Sequence, residues 1–358
     1  MKKVALIEFN SYHDECLYSQ MKFLEDSGYE VTLIISQQIF ERAHEYLHLV
    51  DDTIVYPKNS QKNFLNRIAF IARLFRHVIK KGIKIIVFNT ASSRLEVILL
   101  SHLLRRKAHL FGILHNLKKV NSSFSQKLIN KAIKNFFVLN DFLLDSVSLK
   151  DNSIKLKSFY PIFFPEYENS LPAKPKDEVW ISIPGKLDFG RRDYYLVAEA
   201  LEKMPIKDNL KILILGSTYS SNPKNKEFLE YLKTHNLLNY FITFESFLEN
   251  DAFHGYLKNS DYILIPLGFV GDNYAKYKIM GSYNLAFGYG KNLISPKDLG
   301  HIQDMASHSE FYENARGLSK IFEKISLGKI DKKAYVSEKW TFKEQKSRYI
   351  NFLEKNQY

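Results

Sequence analysis

Two stretches of this 358-residue chain have residue types suited to holding an anion. The first, Ile183-Pro-Gly-Lys-Leu-Asp-Phe-Gly-Arg-Arg-Asp193, follows an apolar run and precedes a helical pattern. That places Lys186, Arg191 and Arg192 on a loop at a strand end. Arginine offers planar, paired donors to phosphate oxygens, and lysine a compact charge. The second runs from Tyr274 to Gly300 and is approached through a loop containing Gly268, Gly271 and Asp272. It reads as a helix start near Gly281 and Ser282, a Gly-Tyr-Gly stop at 288–290, and a strand over Asn292–Ser295. A helix start leaves N–H groups without acceptors, and its dipole favours a negative guest. A diphosphate suits both stretches. The plainer readings are a solvated basic face and an N-cap serine beside a packing glycine. Three cations gathered at one strand end favour the functional one.

A different chemistry is suggested in the N-terminal half, where polar residues gather at three strand ends. Asn10, His13, Asp14 and Glu15 follow the run Val4–Ile7; Asn89 and Thr90 follow Ile85–Phe88; His115 and Asn116 follow His109–Leu114. Such side chains hydrogen-bond hydroxyls, and a histidine can move a proton near neutral pH. A single histidine in such a place is more often a cap, but two on one rim strengthen the case for a site.

The elements that position these residues alternate. Apolar runs at Val4–Ile7, Val31–Ile35, Ile54–Tyr56, Ile85–Phe88, His109–Leu114, Phe136–Leu139 and Ile154–Phe159 read as parallel strands with helical patterns between them. A cluster of Pro161, Pro165, Pro172 and Pro175, with Glu166, Glu168 and Lys174, marks a linker. Beyond it the alternation repeats at Val179–Ile183, Leu210–Leu215, Phe241–Phe244 and Tyr262–Ile265, ending in helical patterns over Ser309–Ile325 and Lys332–Lys355. The fold class is therefore α/β, with two similarly built halves and a cleft between them whose ligand lies beyond the carboxyl ends of the strands.

Composition bounds the rest. The length fits two domains, and 45% apolar with 25% charged residues is an ordinary globular balance. The net charge of +12 favours anionic partners. The lone Cys16 excludes an internal disulfide or a cysteine zinc site and fits a reducing compartment. The first apolar run is too short for a signal peptide and none is long enough to span a bilayer, so a cytoplasmic protein is expected. The Asn63–Lys84 pattern has an apolar stripe of Phe64, Leu65, Ile68, Ile71, Ala72, Phe75 and Ile79 flanked by Arg67, Arg73, Arg76, Lys80 and Lys81. It reads first as a helix packed on the sheet; a sharper reading rests the edge of 64–84 on anionic lipid headgroups, making the protein peripheral to the inner face of a membrane. Nucleic acid is not expected, because the basic residues run along the chain and no recognised motif accompanies them. There is no P-loop, no G-x-G-x-x-G after the first strand and no Asp-x-Asp motif, so no metal or other cofactor is implied.

The segments IPGKLDFGRRDY, LKILILGS, NSDYILIPL and SYNLAFGYGKNLISPKDLG resemble, in order and spacing, the donor domain of GT-B glycosyltransferases. They look most like the bacterial family 4-like enzymes of surface polysaccharide synthesis. The resemblance implies two Rossmann-like domains: 1–165, completed by a C-terminal helix at 338–358 that crosses back, and 176–337, which binds a nucleotide-sugar. It implies that Lys186 with Arg191 or Arg192 neutralises the donor pyrophosphate, and that Gly281, Ser282 and Tyr283 add amide donors. It sets Gly216 and Ser217 along the nucleotide, with Ser246, Phe247 and Leu248 beside the base. His115 falls near the transferred sugar and His13 on the acceptor side, where Asn10, Asn89, Asn116 and Tyr277 would meet sugar or acceptor. Many members carry two glutamates around the donor helix; Tyr277 and Leu285 stand in those places here. The resemblance therefore does not extend to the ribose contact, the donor's identity or the anomeric outcome.

The reaction implied is glycosyl transfer from a nucleoside diphosphate to a glycan or lipid-linked acceptor, with the leaving group stabilised electrostatically in place of a metal. An inverting enzyme needs a base for the acceptor proton; His13, Asp14, Glu15 and His115 are the candidates, His13 or Glu15 foremost. The alternatives are a sugar-nucleotide epimerase or polyol-phosphate transferase on the same scaffold, and a non-catalytic nucleotide-sugar or nucleic-acid binder.

Overall fold

The computed structural model describes residues 2–58, 63–167, 173–205, 209–218, 222–267 and 273–356. Gly268, Gly271 and Asp272, and Glu168 and Pro172 of the linker, lie outside the described residues. The chain divides into two compact units. The first comprises Met1–Pro165, Lys276–Ile279 and Ser337–Tyr358; the second comprises Glu166–Ala275 and Met280–Val336.

The first unit is built on seven parallel strands: β1 (Lys2–Glu8), β2 (Tyr29–Ser36), β3 (Asp52–Tyr56), β4 (Ile85–Phe88), β5 (His109–Ile113), β6 (Asn135–Val138) and β7 (Lys155–Ser158). Their order is β3-β2-β1-β4-β5-β6-β7. Val4, Ala5, Leu6 and Ile7 of β1 are buried, as expected of a central strand covered on both faces. The chain builds leftward from β1 through β3, then rightward from β4, so the direction of winding reverses between β1 and β4. Helices α1 (Leu17–Glu25), α2 (Phe64–Lys81), α3 (Leu95–Leu104) and α4 (Phe124–Ala132) cover the sheet.

The second unit repeats the plan with β8 (Val179–Pro184), β9 (Leu210–Ser217), β10 (Phe241–Phe244), β11 (Tyr262–Leu264), β12 (Asn292–Pro296) and β13 (Ser309–Tyr312), ordered β10-β9-β8-β11-β12-β13. Its helices are α5 (Tyr194–Glu202), α6 (Pro223–Thr234), α7 (Asn250–Asn259), α8 (Gly281–Gly288) and α9 (Ala315–Ser326). The winding reverses here between β8 and β11. Open sheets of this order bind ligands beyond the strand ends at the reversal.

Three sequence expectations are corrected. Ser309–Tyr312 is not helical but an edge strand pairing with β12, and the helix begins only where the Asn314 side chain accepts from Gly317 N–H. Lys332–Ser337 is likewise not helical. The last helix, α10 (Phe342–Lys355), starts after Thr341, which accepts from the Glu344 N–H in a Thr-x-x-Glu arrangement. It packs on α1 and β7, where Tyr349 stacks on Phe137 with ring centroids 4.6 Å apart. The third correction concerns α2. Of the expected stripe it buries Ile71, with Ala72 and Phe75 partly covered, and it buries Phe70, Leu74 and Val78 beside it, leaving Phe64, Leu65, Ile68 and Ile79 exposed.

A buried carboxylate explains that rotation. Arg67 lies on the same stripe as Ile71, Leu74 and Val78, so burying this face carries its guanidinium onto Glu96 of α3. Arg67 Nε and a terminal nitrogen donate to Glu96 Oε1 and Oε2 at 2.8 and 2.9 Å. Tyr56 Oη donates at 2.8 Å, and Arg94 approaches at 3.3 Å. Burial opposes ionisation of Glu96, but Arg67 and Arg94 outweigh it and hold the carboxyl at about 2, against an ordinary 4.5. The folded unit thus takes up this proton later than the unfolded chain does. The stabilisation, on the order of 3 kcal/mol, is complete above the unfolded pKa and lost as pH falls toward 2. Glu96→Gln is expected to destabilise the first unit by about 3 kcal/mol. Urea unfolding followed between neutral pH and pH 3 checks this: the wild-type advantage must shrink on acidification.

Candidate functional site

Glu8 ends β1 beside the point where the winding reverses, and its carboxylate is buried. An acid there needs donors, and the chain supplies four. Asn10 gives its backbone N–H at 2.8 Å and its Nδ2 at 2.7 Å to Oε1. Asn89 Nδ2 and Thr90 Oγ1 donate to Oε2 at 2.8 and 2.5 Å. Burial still pushes the Glu8 carboxyl above its ordinary value, against the pull of these donors.

Asn89 extends the arrangement. Its Nδ2 also donates to the His13 carbonyl at 2.8 Å, its Oδ1 accepts from Gln20 Nε2 at 2.7 Å, and Gln20 Oε1 accepts from Tyr349 Oη at 3.0 Å. A buried line of hydrogen bonds therefore runs from α10 through α1 to the loop after β1. Arg94 steadies that loop from α3, donating to the Phe9 carbonyl at 2.8 Å and Asn10 Oδ1 at 3.1 Å.

The held loop presents two imidazoles. His13 has a left-handed backbone (φ 71°), which turns its ring back over the sheet edge. It stacks on His115 with centroids 3.7 Å apart and planes 18° from parallel. His13 Nδ1 lies 3.2 Å from Glu15 Oε1, a carboxylate about half exposed. The surrounding protein opposes ionisation of Glu15, but the hydrogen bond and charge of His13 prevail and its pKa falls below the ordinary value. Asp14, crowded and repelled by Glu15, moves the other way, with Arg42 opposing. His115 Nε2 lies 2.7 Å from the Asn89 carbonyl, an acceptor only, so Nε2 carries the proton and Nδ1 the lone pair. Burial and the neighbouring His13 lower its pKa to about 3, and Lys278 adds to the effect. Lys278 belongs to the Lys276–Ile279 segment, which docks here through the Tyr277 carbonyl accepting from Leu117 N–H at 2.9 Å.

The sequence expectation is thus divided. His13, Glu15 and His115 do come together. Asn10 and Asn89 are buried, with their side chains hydrogen-bonded to Glu8, Arg94, Gln20 and the His13 carbonyl. Asn116 uses its Oδ1 on the Lys118 N–H at 3.0 Å, a local turn, and Tyr277 contributes its backbone. Glu8, Gln20, Arg94, Lys278 and Tyr349 were missed. Glu8 alone left a signal, as an acid closing an otherwise apolar central strand.

At the second reversal, Gly185 follows β8 with φ 100°, a conformation that favours glycine. The turn is braced by Arg192, which folds back to donate to the Pro184 carbonyl and to the Lys186 carbonyl. Arg191 is exposed and pairs with Asp188 at 3.5 Å. Neither arginine is an uncommitted cation. Lys186 is exposed, and among the described residues its ammonium has no acidic partner. Gly216 serves packing: a Cβ there would lie 2.5 Å from the Lys186 nitrogen, so its absence lets β9 close on the turn. Ser217 Oγ donates to the Glu245 carbonyl at 3.1 Å, which ties β9 to the Ser246-Phe247-Leu248 loop, where Phe247 is exposed.

The α8 start follows Met280. The Tyr283 N–H donates back to the Met280 carbonyl at 3.0 Å, so among the described residues the amides of Gly281 and Ser282 are the first-turn donors left and Tyr283 is not one. The Ser282 and Tyr283 side chains are buried, and among the described residues the Tyr283 hydroxyl has no hydrogen-bond partner. Among the described residues no group of three His, Cys, Asp or Glu side chains is arranged to hold a metal ion.

Asn89→Ala removes the donors to Glu8 and the His13 carbonyl and strands Gln20. We expect a loss of roughly 3 kcal/mol in the first unit, and faster amide exchange over residues 9–16 with the second unit unchanged. His115 is expected to remain neutral as pH falls from 8 to 5; its imidazole NMR resonances, read against the His115→Gln spectrum, should not titrate over that range.

No family model matches the chain, and no curated protein sequence does either. Solved structures do. The Anabaena protein Alr3699/HepE, determined with UDP and glucose, superimposes with a TM-score of 0.68 at 12% identity over 99% of this chain and 100% of that one. A glycosyltransferase from Rickettsia africae gives 0.62 at 14% identity, over 99% and 96% of the two chains. The UDP-GlcNAc 2-epimerase of Methanocaldococcus jannaschii gives 0.63 at 14% identity, over 99% of each. At these identities the likeness concerns architecture: the chain has the GT-B fold of two doubly wound α/β units.

Proposed function

We propose that this protein transfers a glycosyl group from a nucleoside-diphosphate sugar to a hydroxyl of a glycan or lipid-linked acceptor, as in bacterial surface polysaccharide synthesis. The observation that carries the reading is the His13–Glu15 pair stacked on a neutral His115 where the winding reverses. With Nδ1–H directed at the Glu15 carboxylate, His13 keeps a lone pair on Nε2 and can act as a base oriented by an acid. His13 Nε2 takes the acceptor's hydroxyl proton as that oxygen bonds to the anomeric carbon. The bond from that carbon to the diphosphate oxygen breaks, and its electron pair leaves with the nucleoside diphosphate. Attack assisted in this way inverts the anomeric centre.

In this proposal Lys186 and the Gly281 and Ser282 amides neutralise the departing diphosphate, in place of a dedicated metal. Phe247 offers an exposed ring for the base. UDP is the donor nucleotide to try first, because Alr3699/HepE was determined with UDP and with UDP-glucose. The epimerase likeness supports a second reading, isomerisation of the nucleotide-sugar without an acceptor.

Calorimetry with UDP tests the donor side: Lys186→Ala should weaken binding about tenfold or more, the loss of one charge-assisted contact, while Arg191→Ala changes it little. Unchanged affinity in Lys186→Ala would remove the proposed donor site. Incubation with labelled UDP-sugars separates transfer from epimerisation. His13→Ala should abolish transfer while leaving UDP affinity intact.

A further inference from the structure

Contrary to the expectation that the basic residues run along the chain, the net positive charge of this protein is concentrated in one segment. Residues 57–140 contain 17 lysines and arginines against a single acid, Glu96, while the other 274 residues carry 34 cations and 38 acids. That one acid is buried and neutralised by Arg67 and Arg94. All the net positive charge therefore belongs to one segment, the segment that forms α2, α3 and α4.

Those three helices share one face of the first sheet. They connect β3 to β4, β4 to β5 and β5 to β6, all travelling in the same direction across the sheet, and right-handed crossovers put such helices on a common side. α3 packs against both α2 and α4. Their outer surface carries large apolar side chains as well as cations. Phe64, Leu65, Ile68 and Ile79 of α2, Leu103 of α3 and Phe124 of α4 are between 36% and 77% exposed. Arg76, Lys80, Arg105, Arg106, Lys127 and Lys131 are exposed among them, and among the described residues none has an acidic partner. Scattered surface apolar residues need no explanation, but six on adjacent helices, in a segment whose one acid is buried and neutralised, do.

We propose that the α2–α3–α4 face docks on an anionic lipid bilayer, with Phe64, Leu65, Ile68 and Phe124 entering the headgroup–acyl boundary and the surrounding arginines and lysines meeting lipid phosphates. Both signals are needed for stable adsorption, since cations alone hold a protein loosely and a few apolar side chains alone barely do so. The exposed aliphatic side chains single out a bilayer over nucleic acid, which would draw on the cations and leave Leu65, Ile68, Ile79 and Leu103 in water. Among the described residues no helix is long and apolar enough to cross a membrane, so the contact is adsorption. Helices run back against the strands they connect, so the first turns of α2 and α4 lie toward the carboxyl edge of the sheet, the edge that carries His13 and His115. Adsorption through those turns brings that edge to the membrane surface. The inference rests on charge and exposure and stands whatever reaction the protein performs.

The full-length chain is tested by flotation with phosphatidylcholine vesicles, with and without added phosphatidylglycerol. Binding is expected only with phosphatidylglycerol. Each cation near such a surface is worth roughly fivefold in partitioning, so Arg76→Gln with Lys80→Gln should weaken it about twenty- to thirtyfold. Phe64→Ser with Leu65→Ser should abolish what binding survives at raised salt. Lys320→Gln with Lys324→Gln, exposed cations of α9, is the control for net charge and should have little effect; unchanged thermal melts show that each variant is folded. Binding indifferent to phosphatidylglycerol, or equal losses in the α9 control, would overturn the proposal. So would a nucleic-acid duplex that displaces the vesicles and binds Phe64→Ser with Leu65→Ser as well as wild type.

Discussion

The first unit is organised around the burial of a carboxylate at the end of its central strand. Removing Glu8 from water is costly, and that cost is offset only if donors are held in fixed places around both oxygens. Asn10, Asn89 and Thr90 meet that demand from the two strand ends flanking the reversal of winding. In doing so they leave the intervening loop little freedom. The left-handed turn at His13, the carbonyl it offers to Asn89 and the stacking of its ring on His115 follow from the same constraint. Through Gln20 and Tyr349 the constraint reaches α10, so the last helix of the chain contributes to the geometry of a loop that closes in its first twenty residues.

The second unit solves a related problem with backbone rather than charge. Its turn after β8 is shaped by a glycine in a conformation other residues avoid, by an arginine folded over it, and by the missing side chain at Gly216. Arg192 therefore acts as scaffold. The exposed ammonium of Lys186 and the first amides of α8 remain as the groups that a ligand could engage. A lone cation or a helix start is a modest attraction for an anion in water and a stronger one where a ligand excludes water.

Charge is distributed along the same lines. Glu96 is the one acid in the basic segment, and it rotates α2 so that a second apolar stripe faces outward among uncompensated cations. A single buried ion pair thus both fastens α2 to α3 and decides what the surface of the first unit presents. The proposed base and the proposed membrane contact lie toward one edge of the first sheet, as a lipid-linked acceptor would require.

Alternating apolar runs and helical patterns determined the α/β class, the strand set and the loops that hold His13, His115 and Lys186, because strands buried on both faces must read as continuous apolar segments. Local capping chemistry, readable but overlooked, marked the true starts of α9 and α10. What only the tertiary structure decided was the use of each polar residue. Asn10, Asn89 and Arg192 have the composition of ligand-binding groups, yet packing turned them inward, because a buried acid and a strained turn must be satisfied before any ligand is. Which of two apolar stripes on α2 met the sheet was undecidable from periodicity, since both repeat at helical spacing; the pairing of Arg67 with an acid on another helix settled it.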